Sequence, residues 1–208
     1  TSSVYGNRPN EIVTETSQPI PINNYAQHKY QAEQDIQHSG IEYIIIRPVT
    51  AFGITYRTRI DLLVNTLIYH ALSFSKVEIY EPNIMRPIIH IDDFVDVIMA
   101  AIYDKLKKNN IYNIGDPYYN MTKIQLAKAI ADLCGAAVVE KDGSSLDLRD
   151  YTVSFDKLLA TGFTFGSNRL ELAVQQIKSA QYKIAENPDS FSTPYKVKLF
   201  LERNSREI

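Results

Sequence analysis

Residues 24–48 read NYAQHKYQAEQDIQHSGIEYIIIRP, and this stretch decides the class of fold. Asn24 is of a type that caps helix N-termini, and the run from Tyr25 to His38 holds neither proline nor glycine until Gly40 stops it. Ile41 to Arg47 is then mostly apolar and rich in isoleucine, the composition of a buried parallel strand, and Pro48 ends it. A helix that feeds a buried strand is the repeating unit of α/β architecture.

Reading outward toward the C-terminus, the alternation continues. Leu63, Leu67 and Ala71 share a helical face, which predicts a helix over Ile60 to Phe74. Short strands fit Val77 to Tyr80 and Arg86 to His90, and Asp92 is placed to cap a helix through Phe94, Val97, Ile98 and Ala101. Ile111 to Ile114 reads as a strand closed by Gly115. Thr122 followed by Gln125 is a capping-box pattern opening a helix to Leu133. Ala136 to Glu140 reads as a further strand, and Ser154 to Thr161 and Leu170 to Tyr182 as the last helices. Toward the N-terminus, residues 7–23 carry Pro9, Pro19 and Pro21 and read as loop, while Thr1 to Gly6 reads as a strand end with its following loop. Beyond Glu186 the chain is polar, with Pro188 and Pro194, and reads as a tail.

The 208 residues suffice for one substantial domain or for a larger and a smaller lobe. A net charge of -2 gives no electrostatic case for nucleic acid or an anionic membrane surface. The apolar run at Ile44 to Ile46 is far too short to span a bilayer. Cys134 is the only cysteine, so no intrachain disulfide forms, and a cytoplasmic, reducing setting is expected.

The chemistry centres on Tyr25 and Lys29, four residues apart and hence on one helical face. A free tyrosine, with a pKa of about 10, is a poor base near neutrality, and an ammonium one turn away favours the phenolate. A tyrosine so placed exchanges a proton with a substrate hydroxyl while hydride moves to or from a nicotinamide. A second hydroxyl, from Thr1, is the candidate to hold the same oxygen. His90 reads as packed beside its strand, and Asp92 and Asp93 as a helix cap in place of metal ligands; no metal site is expected.

Taken together, Thr1-Ser2-Ser3-Val4-Tyr5-Gly6, a proline-bearing loop, then Tyr25-Ala26-Gln27-His28-Lys29 with Glu33 resemble the extended short-chain dehydrogenase/reductases, the NAD-dependent epimerase/dehydratase family. Arg47-Pro48, Phe52-Gly53, Arg59 with Asn65, Arg86-Pro87-Ile88-Ile89-His90-Ile91-Asp92-Asp93 and Tyr112-Asn113-Ile114-Gly115 follow in that family's order. The resemblance implies an α/β fold: the C-terminal part of a Rossmann-like parallel sheet with a smaller α/β substrate-binding lobe. It places the remainder of the dinucleotide-binding domain and the catalytic residues in 1–55. A mainly nucleotide-sugar-binding lobe with returning Rossmann segments follows in 56–183, and a tail in 184–208. Thr1, Tyr25 and Lys29 become the catalytic set, with Pro48 against the nicotinamide of NAD or NADP. Asn65 and Arg86 would hold the substrate pyrophosphate, since guanidinium suits bidentate phosphate contact. Arg57, Arg59 and Arg149 are further phosphate candidates, and Asp147 stands with Arg149 where relatives carry a nucleotide-contacting segment.

Departures from the pattern sharpen the expectation. Thr50 stands where relatives often carry Asn, which puts one substrate contact in doubt. Relatives that eliminate water usually carry a Glu two residues after the catalytic threonine, often with an Asp before it; here those positions are Ser3 and Ser2. Serine cannot replace an acid near neutrality. The expected activity is therefore a nucleotide-sugar epimerase, ahead of a reductase or 4,6-dehydratase of the same family and of a non-catalytic nucleotide-sugar-binding fragment. The family's glycine-rich pyrophosphate turn has no counterpart in the sequence. A fragment is therefore expected, inactive and weak toward NAD(P) by itself, from a parent that forms a homodimer. In that reading Ala26, Tyr30 and Ile36 make a partial apolar stripe on the face of the helix away from Tyr25 and Lys29.

Overall fold

A computed structural model describes residues 1–143 and 149–186. Asp147 and the tail from 187 onward lie outside the described residues. The elements, in chain order, are a 3-10 turn Ser2–Tyr5, β1 Ile12–Val13, α1 Asn24–His38, β2 Ile44–Pro48, β3 Thr50–Phe52, α2 Leu63–Phe74, β4 Lys76–Ile79, β5 Ile88–His90 and α3 Ile91–Ile102. They continue with β6 Asn110–Ile114, a 3-10 turn Pro117–Tyr119, α4 Lys123–Cys134, β7 Ala137–Glu140, β8 Thr152–Val153, α5 Asp156–Leu159 and α6 Arg169–Glu186. Two compact units result. The first gathers Thr1–Ala51, Ile79–Leu126 and Glu140–Ser167; the second gathers Phe52–Glu78, Ala127–Val139 and the described residues from Asn168.

The first unit is built on the parallel pair β2–β6, in register from Ile44 opposite Asn110 to Pro48 opposite Ile114. Alternation along β2 sends Ile45 and Arg47 to one face and Ile44 and Ile46 to the other. α1 covers the Arg47 face through Glu33, and Ile98, Ala101 and Ile102 of α3 share a groove with Ile44 and Ile46 on the other. Helices thus lie on both faces of a parallel pair, as the α/β reading requires. The core beneath includes Val4, Tyr5, Val49, Ile89, Val97, Ile114 and Phe155. Gly115 follows β6 where a β-carbon would sit 2.3 Å from the Phe155 ring and 2.8 Å from Val49, so no side chain fits there.

Local chemistry explains both agreements and corrections. The capping box at α4 forms reciprocally, with Thr122 N donating to Gln125 Oε1 at 2.9 Å and Gln125 N to Thr122 Oγ1 at 3.3 Å. α1 begins one residue earlier than read, because Asn23 and not Asn24 is the cap and accepts from Ala26 N at 2.9 Å. His90 rather than Asp92 caps α3: its Nδ1 accepts from Asp92 N at 3.2 Å. Asp93 instead accepts from Gly166 N at 2.9 Å and pins that loop. Thr1 to Gly6 is a 3-10 turn, not a strand end. Gly6 at φ 77 turns the chain where a β-carbon would lie 2.0 Å from the Ile20 carbonyl oxygen. The loop 7–23 holds β1, which pairs in parallel with β8; two-residue strands carry no periodicity to read. α5 is shorter than expected because Ser154 N is committed to Val13 O at 2.9 Å, which keeps it extended.

The second unit packs α2 against α6. Within it, Gln181 Nε2 donates to Ser73 Oγ at 2.9 Å and Ile54 N to Gln176 Oε1 at 3.4 Å. No described helix is long and apolar enough to cross a membrane.

Asp116 supplies a pH-dependent prediction. It accepts from Tyr118 N at 2.9 Å at the start of the 3-10 turn Pro117–Tyr119. Burial pushes its carboxyl up, the Tyr118 N–H partly opposes this, and Asp93 adds to the rise. A raised folded pKa means stability that is fully present below the unfolded value and is lost as pH rises through the folded one. Asp116→Asn, which retains an acceptor, is therefore more stable than wild type at pH 7. Thermal melts at falling pH should show that advantage shrink as the wild-type carboxyl protonates; a constant difference would contradict the linkage.

Candidate active site

Helix α1 divides its faces sharply. Ala26, Tyr30 and Glu33, spaced by four and three residues, turn inward: Ala26 and Glu33 are buried and Tyr30 packs against the core. Ala26 and Tyr30, read above as part of an outward stripe, thus serve the chain's own packing. Tyr25 is 57% exposed, with Lys29 Nζ 5.9 Å from its ring centroid. The pair is presented to solvent from a helix whose other side is fixed.

What fixes it is a buried ion pair. Arg47 of β2 holds Glu33 with Nη2–Oε2 at 2.7 Å and Nε–Oε2 at 3.0 Å, the two side chains being 2% and 8% exposed. Arg47 Nη1 also donates to Tyr5 Oη at 2.9 Å, and Tyr5 Oη donates to Asn113 Oδ1 of β6 at 2.6 Å. Burial works against the Arg47 charge, but the hydrogen bonds and charge of Glu33 and Tyr5 outweigh it and hold the guanidinium above its ordinary pKa. Burial pushes the Tyr5 phenol up, with Arg47 and Asn113 opposing. One network therefore ties α1, β2, β6 and the 3-10 turn that follows Thr1 into fixed relation. Nothing in the residue spacing announced it, although Glu33, Arg47 and Asn113 all lie in the motif segments.

Thr1 stands at the head of that turn, which packs against α1. Thr1 Oγ1 accepts from Ser3 N at 3.3 Å and donates to Ser3 Oγ at 3.1 Å. Ser2 and Ser3 are buried; Tyr151 Oη donates to Ser2 Oγ at 3.0 Å and Arg149 Nη1 to Ser3 Oγ at 2.6 Å. Pro48 ends β2 opposite Ile114, at the carboxyl edge of the parallel pair, the edge at which open α/β sheets receive ligands.

Of the phosphate candidates in the first unit, Arg86 is buried and its Nη1 donates to the carbonyl oxygens of Met85, at 2.9 Å, and Arg149. In the second unit Asn65, 1% exposed, is engaged by its own loop: its Nδ2 donates to Arg59 O at 2.9 Å and to Gly53 O at 3.3 Å, and its Oδ1 accepts from Gly53 N at 3.0 Å. Arg59 pairs with Asp61 at 2.7 Å on the surface and holds that carboxyl below its usual range; Arg57 is exposed. The structure thus groups Thr1, Arg86 and Arg149 through hydrogen bonds and Tyr25 with Lys29 through proximity, and gives Asn65 a structural task. Among the described residues no cluster of three or more His, Cys, Asp or Glu is placed to hold a metal.

Comparison with known proteins matches residues 1–115 to the model of the NAD dependent epimerase/dehydratase family. The chain belongs to the NAD dependent epimerase/dehydratase family. Solved structures similar to it include UDP-glucuronic acid 4-epimerase from Bacillus cereus in complex with UDP-glucuronic acid and NAD, at 25% identity and a TM-score of 0.73, covering 86% of this chain and 60% of that one. UDP-glucose 4-epimerase from Thermotoga maritima, with UDP-glucose, matches at 21% identity and a TM-score of 0.72, covering 86% of this chain and 61% of that one. A dTDP-glucose 4,6-dehydratase from Bacillus anthracis, in complex with NAD, matches at 20% identity and a TM-score of 0.70, covering 94% and 62%. The chain therefore spans about three fifths of the length of these family structures.

Arg86 gives a prediction for nucleotide recognition. On the expectation that Arg86 holds a substrate pyrophosphate, Arg86→Ala should weaken binding of a nucleotide sugar by about 1.5–3 kcal/mol, the worth of a charge-assisted hydrogen bond. Free monosaccharide binding should change little in calorimetry. Equal losses for both ligands would show that Arg86 acts only by holding the Met85 and Arg149 carbonyls.

Proposed function

We propose that this chain carries the catalytic end of an NAD(P)-dependent nucleotide-sugar epimerase. The observation that carries the reading is the makeup of the Thr1–Ser3 turn, which offers hydroxyls and no carboxyl, with both serines buried and bonded to Tyr151 and Arg149. Elimination of water calls for an acid at this place; oxidation of a hydroxyl followed by reduction on the opposite face does not.

The nicotinamide end of NAD(P) fits the residues present: Tyr25 and Lys29 are exposed together, and Pro48 lies at the carboxyl edge of β2. When bound, NAD(P) supplies the hydride acceptor and donor. Tyr25 takes the proton of the sugar hydroxyl as that carbon is oxidised and returns it on reduction. Thr1 holds the same oxygen, and Lys29 keeps a positive charge beside the Tyr25 ring. Arg86 is the candidate for the substrate pyrophosphate, and Asn65 shapes the Gly53–Arg59 loop through the bonds given above. We place the full-length protein in the cytoplasm as a homodimer, with the lone Cys134 fitting a reducing setting.

The test is to incubate full-length protein with a panel of UDP- and dTDP-sugars and separate the products by anion-exchange chromatography. An epimer formed without accumulation of reduced cofactor supports the proposal. Steady reduction of NAD, or a dehydrated keto sugar, would replace it with dehydrogenase or dehydratase chemistry.

A further inference from the structure

We propose that Arg149 is a positioning residue for the Thr1 hydroxyl, acting through Ser3; this rests on the reading of Thr1 as the hydroxyl that holds the reacting sugar oxygen. The residues 149–151 grip the catalytic turn and its surroundings with successive side chains. Arg149 Nη1 donates to Ser3 Oγ at 2.6 Å, Asp150 Oδ1 accepts from Met85 N at 2.9 Å, and Tyr151 Oη donates to Ser2 Oγ at 3.0 Å. The Asp150 carbonyl accepts from Arg8 N at 2.8 Å. Arg86 Nη1 donates to the carbonyl of Arg149. A guanidinium anchored at its own backbone and aimed at a buried serine is a built arrangement, because a flexible arginine on the surface gives up side-chain entropy for any one geometry.

The chemical consequence lies in the Ser3 hydroxyl. It has one proton and two acceptor sites. Arg149 occupies one acceptor site with a charged donor, and Thr1 Oγ1 donates to the other at 3.1 Å. When a sugar oxygen arrives, Thr1 redirects its proton from Ser3 to that oxygen, and Ser3, still held by Arg149, turns its own proton toward Thr1 Oγ1. No covalent bond changes. The Arg149 charge polarises Ser3, Ser3 polarises Thr1, and the Thr1 hydroxyl becomes a stronger and better aimed donor. Arg149 thus serves the sugar end of the site, a different task from the phosphate contact expected of it, and Ser3 is the link that an acid at that position would not provide in the same form.

The experiment compares Arg149→Met, Arg149→Lys, Ser3→Ala, their Arg149→Met/Ser3→Ala combination and Thr1→Val in the full-length protein, with thermal melts to check folding and steady-state kinetics on the nucleotide sugar that the wild type turns over. Loss of a charge-assisted, oriented contact should lower kcat about ten- to hundredfold in Arg149→Met, with KM nearly unchanged. Ser3→Ala should lose a similar factor, the combination should lose no more than either alone, and Arg149→Lys should recover most of the rate. A rise in KM with unchanged kcat, together with equally weakened binding of the free nucleoside diphosphate, would overturn the proposal in favour of phosphate contact. Additive losses in the combination would also overturn it, since two residues in one relay cannot act independently. If Arg149→Met fails to fold, wild-type kcat in Ser3→Ala overturns the proposal by itself. Unchanged turnover in Thr1→Val would instead show that the reading of Thr1 is wrong, and absence of turnover in the wild type on every nucleotide sugar would overturn both.

Discussion

Tyr25→Phe in the full-length protein is expected to lose a factor of about 10²–10⁴ in turnover while its melting temperature stays that of the wild type, the range assigned to one general acid–base group. The substitution removes one oxygen from a ring that is 57% exposed and contributes nothing to the buried core, so the fold has little to lose. Lys29 keeps its place over the ring, since α1 is held from its other face by Ala26, Tyr30 and Glu33. What disappears is the hydroxyl proposed above as the proton carrier. Steady-state kinetics and a circular-dichroism melt on the same sample check both halves. Turnover near that of the wild type would remove Tyr25 from the chemistry.

Glu33→Ala is expected to cost about 3–5 kcal/mol of stability, because it leaves a buried guanidinium without its counter-charge. Arg47 is 2% exposed and donates to Glu33 through both Nε and Nη2; its Nη1 donates to the neutral Tyr5 hydroxyl. Replacing both members together, as Glu33→Leu with Arg47→Met, should recover most of the loss, since a well-packed apolar pair of similar volume removes the uncompensated charge. Urea titrations of Glu33→Ala and of the Glu33→Leu/Arg47→Met double variant measure this directly. The same change bears on function. α1 carries Lys29 about one turn and Tyr25 about two turns from Glu33, and the Arg47 clamp sets the rotation of the helix relative to Pro48. Turnover in the single variant should therefore fall even at temperatures where it remains folded. Equal stabilities in the single and double variants would show that Glu33 contributes by packing alone.

Much of this arrangement was legible in the residues. The α1–β2 unit, the α4 capping box and the Tyr25–Lys29 pair each depend on spacings of a few residues, and local spacing is what a sequence displays. The Thr1 turn was misread because Ser-Ser-Val-Tyr has the composition of a strand end, while its geometry depends on the Thr1 cap and on Gly6 meeting the Ile20 carbonyl. β1 and β8 were invisible because each is two residues long and exists only by pairing with the other. The contacts that organise the site join residues far apart in sequence, Arg47 to Glu33 across 14 positions and Arg149 to Ser3 across 146. No periodicity encodes such pairs. The order of motifs located the neighbourhood, and only the fold showed that Arg149 reaches the Ser3 hydroxyl.

The measurement that bears most directly on the central claim is turnover in deuterium oxide, with the nucleotide-sugar product analysed by mass spectrometry and proton NMR. In epimerisation by transient oxidation, the hydrogen removed from the sugar carbon returns to that same carbon, and Tyr25 handles only the hydroxyl proton. The account therefore predicts a product with the mass of the substrate, inverted at one carbon and free of deuterium bound to carbon, formed about 10²–10⁴-fold more slowly by Tyr25→Phe. A product that has lost water and gained deuterium on carbon would contradict it, because that outcome requires acid–base elimination at a turn where Thr1, Ser2 and Ser3 offer hydroxyls and no carboxyl.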